Sequence, residues 1–325
     1  MTELIRSYDV HGLSLRVEAE TTALLDLVES VLSPLRVSAG RQDASVFLSC
    51  GPLPAGDTDG ELRCTGRGTL PDGIGIACYV GADIRQTELL GLACVRLNTA
   101  TLAARITVGP SAEWCVARGC IVPLLCQMLA RRGQHVVHAA CLAMDGRAVL
   151  LSGASGRGKT TTSLALAHSG MKLMGDDCCF ARDDGDGLRV WGLLLDCKVH
   201  PNTLAMLPWL GELPRYPSPT SDEFIVDARE AVGVSQPLCL PPAAVLLLEP
   251  RNGHAHRLTP LGRIDALKRL LGENVRAPEA GSYESAGSAV RTLTRLASVA
   301  GVYHLSVGPN LETLGDFLLR ELERS

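Results

Sequence analysis

The stretch from residue 153 to 160 restricts this chain more than any other. It reads Gly153-Ala154-Ser155-Gly156-Arg157-Gly158-Lys159-Thr160 and satisfies in full the pattern G-x-x-x-x-G-K-S/T. The glycines let the backbone curl until successive N–H groups converge on one point, where an anion can sit. An apolar run, AVLLS (148–152), leads in, and TTTSLALAHS (160–169) leads out. Strand, loop and helix in that order are the setting the pattern needs, which separates it from a chance match in a chain with 33 glycines. The helix N-terminus adds its dipole and its unsatisfied N–H groups. ATP and Mg²⁺ are therefore the expected ligands, held by residues 153–160 together with Thr161. Lys159 is placed to reach the β- and γ-phosphates and the Thr160 hydroxyl to ligate Mg²⁺. Arg157 either sets its charge against a transferring phosphoryl group or points to solvent.

Composition removes several alternatives. Lys occurs only at 159, 172, 198 and 268, so a Lys inside a glycine loop stands out. The formal charge of -4 leaves no basic footprint for a polynucleotide, and nucleic acid is not an expected partner. Hydrophobic residues make up 46% of the chain, enough to bury a large core. The N-terminus lacks a charged head followed by an apolar run, and the most apolar helical candidate, 121–130, is short for a bilayer. A cytoplasmic chain with no membrane partner is the expectation. The 12 cysteines lie scattered in apolar segments with no C-x-x-C pair, which fits small buried hydrophobes better than a zinc site.

Along the first 132 residues the pattern predicts a strand at 13–18, a helical stripe from Leu24 to Leu32 stopped by Pro34, strands at 45–49, 75–80 and 91–97, and a helix over 114–131. Residues 133–325 open with two strand candidates, 139–144 and 147–152, around the hairpin dipeptide Asp145-Gly146. A helix follows the loop to Ser169, then a short strand, 172–175, ending in Asp176-Asp177. Further on come a buried strand at 245–248, turned back by RNGHAH towards RLTPL, and a C-terminal amphipathic helix over 311–322. Segments 208–222 and 277–288 read as mobile surface loops. The fold expected is α/β: a mixed-sheet phosphate-loop domain over 133–325, with a smaller N-terminal α/β lobe over 1–132 for substrate.

Asp176 and Asp177 follow Lys159 by the length of one helix and one short strand, which returns the strand end to the loop. Phosphoryl transfer needs a carboxylate to orient or deprotonate the acceptor hydroxyl and another group to hold the metal. Thr160 with Asp177 forms the expected metal pair. Asp176, Asp177, Lys159, His138 and Arg157 form the expected catalytic set. Glu249, ending AVLLL, is a rival carboxylate in a Walker-B-like place, or only marks a strand end before Pro250. His138 returns beside the loop if the hairpin forms.

The run V-H138-A, G153-A-S-G-R-G-K159-T and G175-D176-D177 resembles the HPr kinase/phosphorylase family, and more closely the broad set of HPr-kinase-like proteins that includes lasso peptide kinases. The nucleotide-binding domain of phosphoenolpyruvate carboxykinases is similar. The resemblance covers residues 135–180 firmly and the rest loosely. It implies transfer from ATP to a Ser hydroxyl of a peptide or protein, with the Asp pair at acceptor and metal and His138 at the edge of the site. Two departures stand out. The Glu/Arg/Gly-rich signature of HPr kinases is missing from LLLDCKVHPNTLAML (193–207), and the loop ends Lys-Thr-Thr where that family has Lys-Ser-Glu. HPr is thus not the expected substrate. A biosynthetic peptide or a small hydroxyl compound fits better, and a nucleotide-binding regulator is the alternative outside enzymes. Related kinases are often oligomers, so a homo-oligomer stays open. The segment LPRYPSPTSDE (213–223) is a candidate substrate flap.

Overall fold

A computed structural model describes residues 4–324 except 39, 55, 57–59, 71–72, 194–195, 219–220, 233–237, 252 and 275–285. The described residues divide into two compact units, one up to 133 and the other from 134 to 274 together with 286–324. The predicted loop at 277–288 lies outside the described residues up to 285, and from Ala286 the chain is helical.

In the first unit, β1 (Ile5–Val10) and β2 (Leu13–Ala19) form a hairpin, followed by α1 (Thr22–Leu32) and the short β3 (Arg36–Val37). Thr21 starts α1 by accepting the Leu24 N–H at its side chain, and Pro34 turns the chain into a 3₁₀ turn at its end. Then come β4 (Ala44–Cys50), β5 (Arg63–Thr69), β6 (Gly75–Val80), β7 (Ile84–Leu89), β8 (Ala93–Asn98) and β9 (Ala103–Val108). A helical run follows, 3₁₀ then π over Val116–Ile121, and ends in α2 (Val122–Ala130). Among the described residues the strands make one sheet, β3-β1-β2-β4-β9-β8-β7-β6-β5. Leu15, Val17, Val46, Leu48, Ile106, Val95 and Leu97 alternate onto one buried face, against which α1 and the helical run pack. The lobe is dominated by strands: to the four read from the sequence, which become β2, β4, β6 and β8, the structure adds β1, β3, β5, β7 and β9. The run Glu113–Ala130 is long and apolar enough to cross a membrane by length and composition. Its Val116, Ile121, Leu124, Leu125, Met128 and Leu129 are buried in this unit.

The second unit begins with β10 (His135–Val137), β11 (Ala140–Met144) and β12 (Arg147–Ser152). Asp145 and Gly146 both take positive φ, 48° and 73°, as a two-residue hairpin turn demands. After α3 (Lys159–His168) come β13 (Lys172–Gly175), β14 (Cys179–Asp183), β15 (Leu188–Gly192) and β16 (Cys197–Val199). Next are α4 (Pro201–Met206), β17 (Arg215–Pro217), β18 (Phe224–Val226), α5 (Ala228–Val232), β19 (Pro242–Leu248) and β20 (Arg257–Pro260). The chain closes with α6 (Arg263–Asn274), α7 (Ala286–Val299), β21 (Gly301–Ser306) and α8 (Leu314–Glu323).

The main sheet runs β13-β11-β12-β19-β21-β20, parallel from β12 to β21 and antiparallel outside, so it is mixed. RNGHAH does not return β19 onto its neighbour as expected: β21 lies between β19 and β20. Both faces are covered. Val149, Leu151, Leu246 and Leu305 pack with α3 and α8, while Ala148, Leu150, Val245 and Leu247 pack with α6, α7 and β14–β15. A strand buried on both faces needs an unbroken apolar run, which AVLLS and AVLLL supply.

Candidate active site

The loop leaves β12 at Ser152 and enters α3 at Lys159. Gly158 sits immediately before the helix at φ +88°, a left-handed conformation that costs glycine little and other residues more. The first intrahelical bond runs from Thr162 N–H to Gly158 O at 2.9 Å, so the N–H groups of Lys159, Thr160 and Thr161 lie ahead of it, in the first turn, where a helix can receive an anion. The Lys159 ammonium is buried at 7% exposure and donates to the Gly153 carbonyl at 2.8 Å. Ala154, Ser155, Gly156 and Arg157 are exposed. The Thr161 hydroxyl shares a 2.8 Å hydrogen bond with Thr203 of α4, leaving its backbone N–H as its group in the first turn of the helix.

β13 delivers the acidic pair. Its Gly175 passes so close to Gly192 that an added Cβ would stand 2.9 Å from the Gly192 Cα. Asp176 follows, buried at 5% exposure. Its carboxylate accepts from the Thr160 hydroxyl at 2.8 Å and from Ser163 at 3.2 Å. Asp177 is one residue out. The Cys178 N–H donates to Asp176 O at 2.9 Å, which puts Asp177 at the tip of a γ-turn at φ +68°. That conformation is uncommon outside glycine and often marks functional positions. The Asp177 side chain is exposed. The carboxylate beside Thr160 is thus Asp176, not the Asp177 expected to share its metal.

His138 lies between β10 and β11, its Nδ1 3.1 Å from the Asp177 carbonyl oxygen. A carbonyl only accepts, so Nδ1 carries the proton and the lone pair of the neutral ring is at Nε2. Two residues invisible to sequence reading complete the edge of the site. Asn274, ending α6, accepts the His138 N–H at 2.6 Å and donates back to Leu270 O. Glu273 accepts the hydroxyl of fully buried Ser152 at 2.6 Å. Their distance along the chain, 136 and 121 residues, left no local signal. Glu249 is engaged otherwise: His304 Nδ1 stands 2.7 Å and Arg269 Nη2 3.2 Å from the same oxygen. The candidate flap contains β17, whose Tyr216 is 68% exposed, while residues 219–220 lie outside the described residues.

The donor set fits Mg²⁺ and a phosphate chain. Thr160 and Asp176 offer hard oxygen ligands side by side. Gly158 opens a backbone cradle, and the Lys159 ammonium rests on a neutral carbonyl that a phosphate oxygen can replace.

No protein-family model and no curated protein matches the sequence. Among solved structures, the chain is similar to the HPr(Ser) kinase/phosphatase from Coxiella burnetii at 16% identity, over 58% of this chain and 97% of that one, with a TM-score of 0.29. At that score the overlap establishes neither a shared fold nor an activity.

Proposed function

We propose that this chain transfers the terminal phosphoryl group of Mg-ATP to a hydroxyl, with a Ser of a peptide or protein as acceptor. The observation that carries the reading is the division of labour in the acidic pair: Asp176 buried on Thr160, Asp177 exposed one residue away. One carboxylate serves the metal side and the other is left for the acceptor.

Bound Mg-ATP would supply the phosphoryl group and a cation to neutralise it. The chain's own residues then have distinct tasks. Thr160 and Asp176 would hold the metal, and Lys159 would exchange the Gly153 carbonyl for phosphate oxygens. Asp177 takes the proton from the acceptor hydroxyl as its oxygen bonds to phosphorus and the bond to the leaving diphosphate breaks. His138, with Nδ1–H fixed on the Asp177 carbonyl, holds that turn and turns Nε2 to the acceptor side. Arg157, exposed in the loop, adds charge against the transferred group.

The test is phosphate transfer followed by mass spectrometry, using Mg-ATP with Ser-containing peptides, small hydroxyl compounds and cell extract. An Asp177-dependent phosphopeptide supports the reading. A phosphorylated small molecule moves the acceptor to a metabolite. ATP binding without any product, and with Asp177→Asn indistinguishable from the parent, overturns it in favour of a nucleotide-binding regulator.

A further inference from the structure

The sheet of the first unit has a second face, opposite its apolar one. Strand pairing sets Phe47 of β4 beside Arg105 of β9, and Arg105 beside Arg96 of β8. Directly opposed residues share a face, so these three side chains stand in a row. Arg105 is exposed, and Arg96 and Phe47 are half-buried.

Like charges opposed across two strands repel. Among the described residues neither guanidinium has an ion-pair partner. The two carboxylates nearby on this face are already engaged. Glu18, across Phe47, lies 3.5 Å from Arg16. Glu88, diagonal to Arg96, accepts from the Gln86 amide at 2.8 Å and the Tyr79 hydroxyl at 3.5 Å. The Arg105 guanidinium lies over the Phe47 ring, 4.7 Å from its centre, a contact that holds a cation without neutralising it.

We propose that this face binds an acidic peptide segment in extended form, with carboxylates on alternate residues held by Arg96 and Arg105. Opposed Cβ atoms stand about 5 Å apart, and alternate side chains of an extended strand about 7 Å apart, a mismatch that long arginine side chains absorb. Guanidinium forks take carboxylates in bidentate pairs. Two arginines suffice for a short acidic target, whereas a polynucleotide needs many phosphate contacts that a chain of net charge -4 does not supply. This inference stands apart from the transfer reading, and neither falls with the other.

The experiment is fluorescence anisotropy on the full chain at low salt, with a labelled alternating Glu-Ser peptide, its Gln-Ser counterpart and a single-stranded oligothymidylate. Glu-Ser should bind, Gln-Ser should not, and added salt should release it. Arg96→Glu and Arg105→Glu should each weaken binding about tenfold or more, as loss of a charge-assisted pair implies. Arg96→Gln and Arg105→Gln serve if reversal harms folding, and Arg41→Glu, exposed elsewhere on the unit, should leave binding intact. Equal binding of the two peptides, or indifference to Arg96 and Arg105, overturns the proposal. Tighter binding of the oligonucleotide through the same two arginines overturns it in favour of a nucleic-acid face.

Discussion

The Thr160 hydroxyl donates to Asp176 at 2.8 Å, and Ser163 from the next turn of α3 meets the other oxygen of the same carboxylate at 3.2 Å. Asp176 is thus fixed by two side chains of the helix that the phosphate loop starts. Asp177 is held instead through its backbone carbonyl, which lies 3.1 Å from Nδ1 of the His138 ring, and its side chain is exposed. The two neighbours should respond differently to the same change. Asp176→Asn should raise the Mg²⁺ concentration needed for half-maximal transfer and leave metal-free nucleotide binding nearly intact. Asp177→Asn should keep nucleotide and metal dependence while transfer falls by about 10²–10⁴, the usual scale for a lost general base. Metal titrations of both variants check this, and a shared response would undo the division.

Lys159→Met removes the buried ammonium that rests on Gly153 O. Charge-assisted hydrogen bonds contribute about 1.5–3 kcal/mol, so nucleotide affinity should fall about tenfold to a hundredfold. Calorimetric titration with ATP reads this directly. An unchanged affinity would mean that the ammonium stays on the loop carbonyl when nucleotide binds.

Glu273→Ala removes the 2.6 Å acceptor of the fully buried Ser152 hydroxyl and leaves it the longer contact to the His138 carbonyl at 3.4 Å. A hydrogen bond to a charged group contributes about 1.5–3 kcal/mol, and its loss should be seen as a lower midpoint of thermal unfolding. Glu273→Gln, which still accepts, should recover most of it. If Glu273→Ala unfolds at the parental temperature, Ser152 has found another acceptor and α6 does not hold the loop.

Asp227 gives a pH signature. Burial pushes its carboxyl up, but hydrogen bonds and charge from Arg229 outweigh burial and hold it below the ordinary range. A carboxyl depressed in the folded state adds stability that is fully present above the unfolded value, about 3.9, and is lost as pH falls through the folded one. Acid titration of unfolding should therefore be shallower below about pH 4 for Asp227→Asn than for the parent. Parallel curves would show that the Arg229 pair does not contribute in solution.

What the sequence disclosed follows the range of each interaction. Asp145-Gly146, Thr21 before α1, and the unbroken apolar runs of β12 and β19 act over a few residues, and their elements form near where pattern puts them. β5, Arg-Cys-Thr-Gly-Arg-Gly-Thr, escaped because it is an edge strand with little buried surface and so has no alternation to read. The order β19-β21-β20 escaped because strand neighbours are chosen by packing across the whole unit. At the site, the loop and acidic pair could be read from spacing. Which Asp meets Thr160 could not, since it turns on a one-residue γ-turn. Glu273 and Asn274 arrive from a helix more than a hundred residues downstream.

That γ-turn also limits what position 177 can become. At φ +68° few side chains other than Asn and Asp are tolerated, and glycine fits freely. Substitution there by Ala or Val would mix lost chemistry with a bent backbone, whereas Asn isolates the carboxylate. On the proposed reading, a descendant of this chain that lost transfer yet kept its shape should carry Asn or Gly at 177. The residue found there would separate working copies from silent ones by inspection.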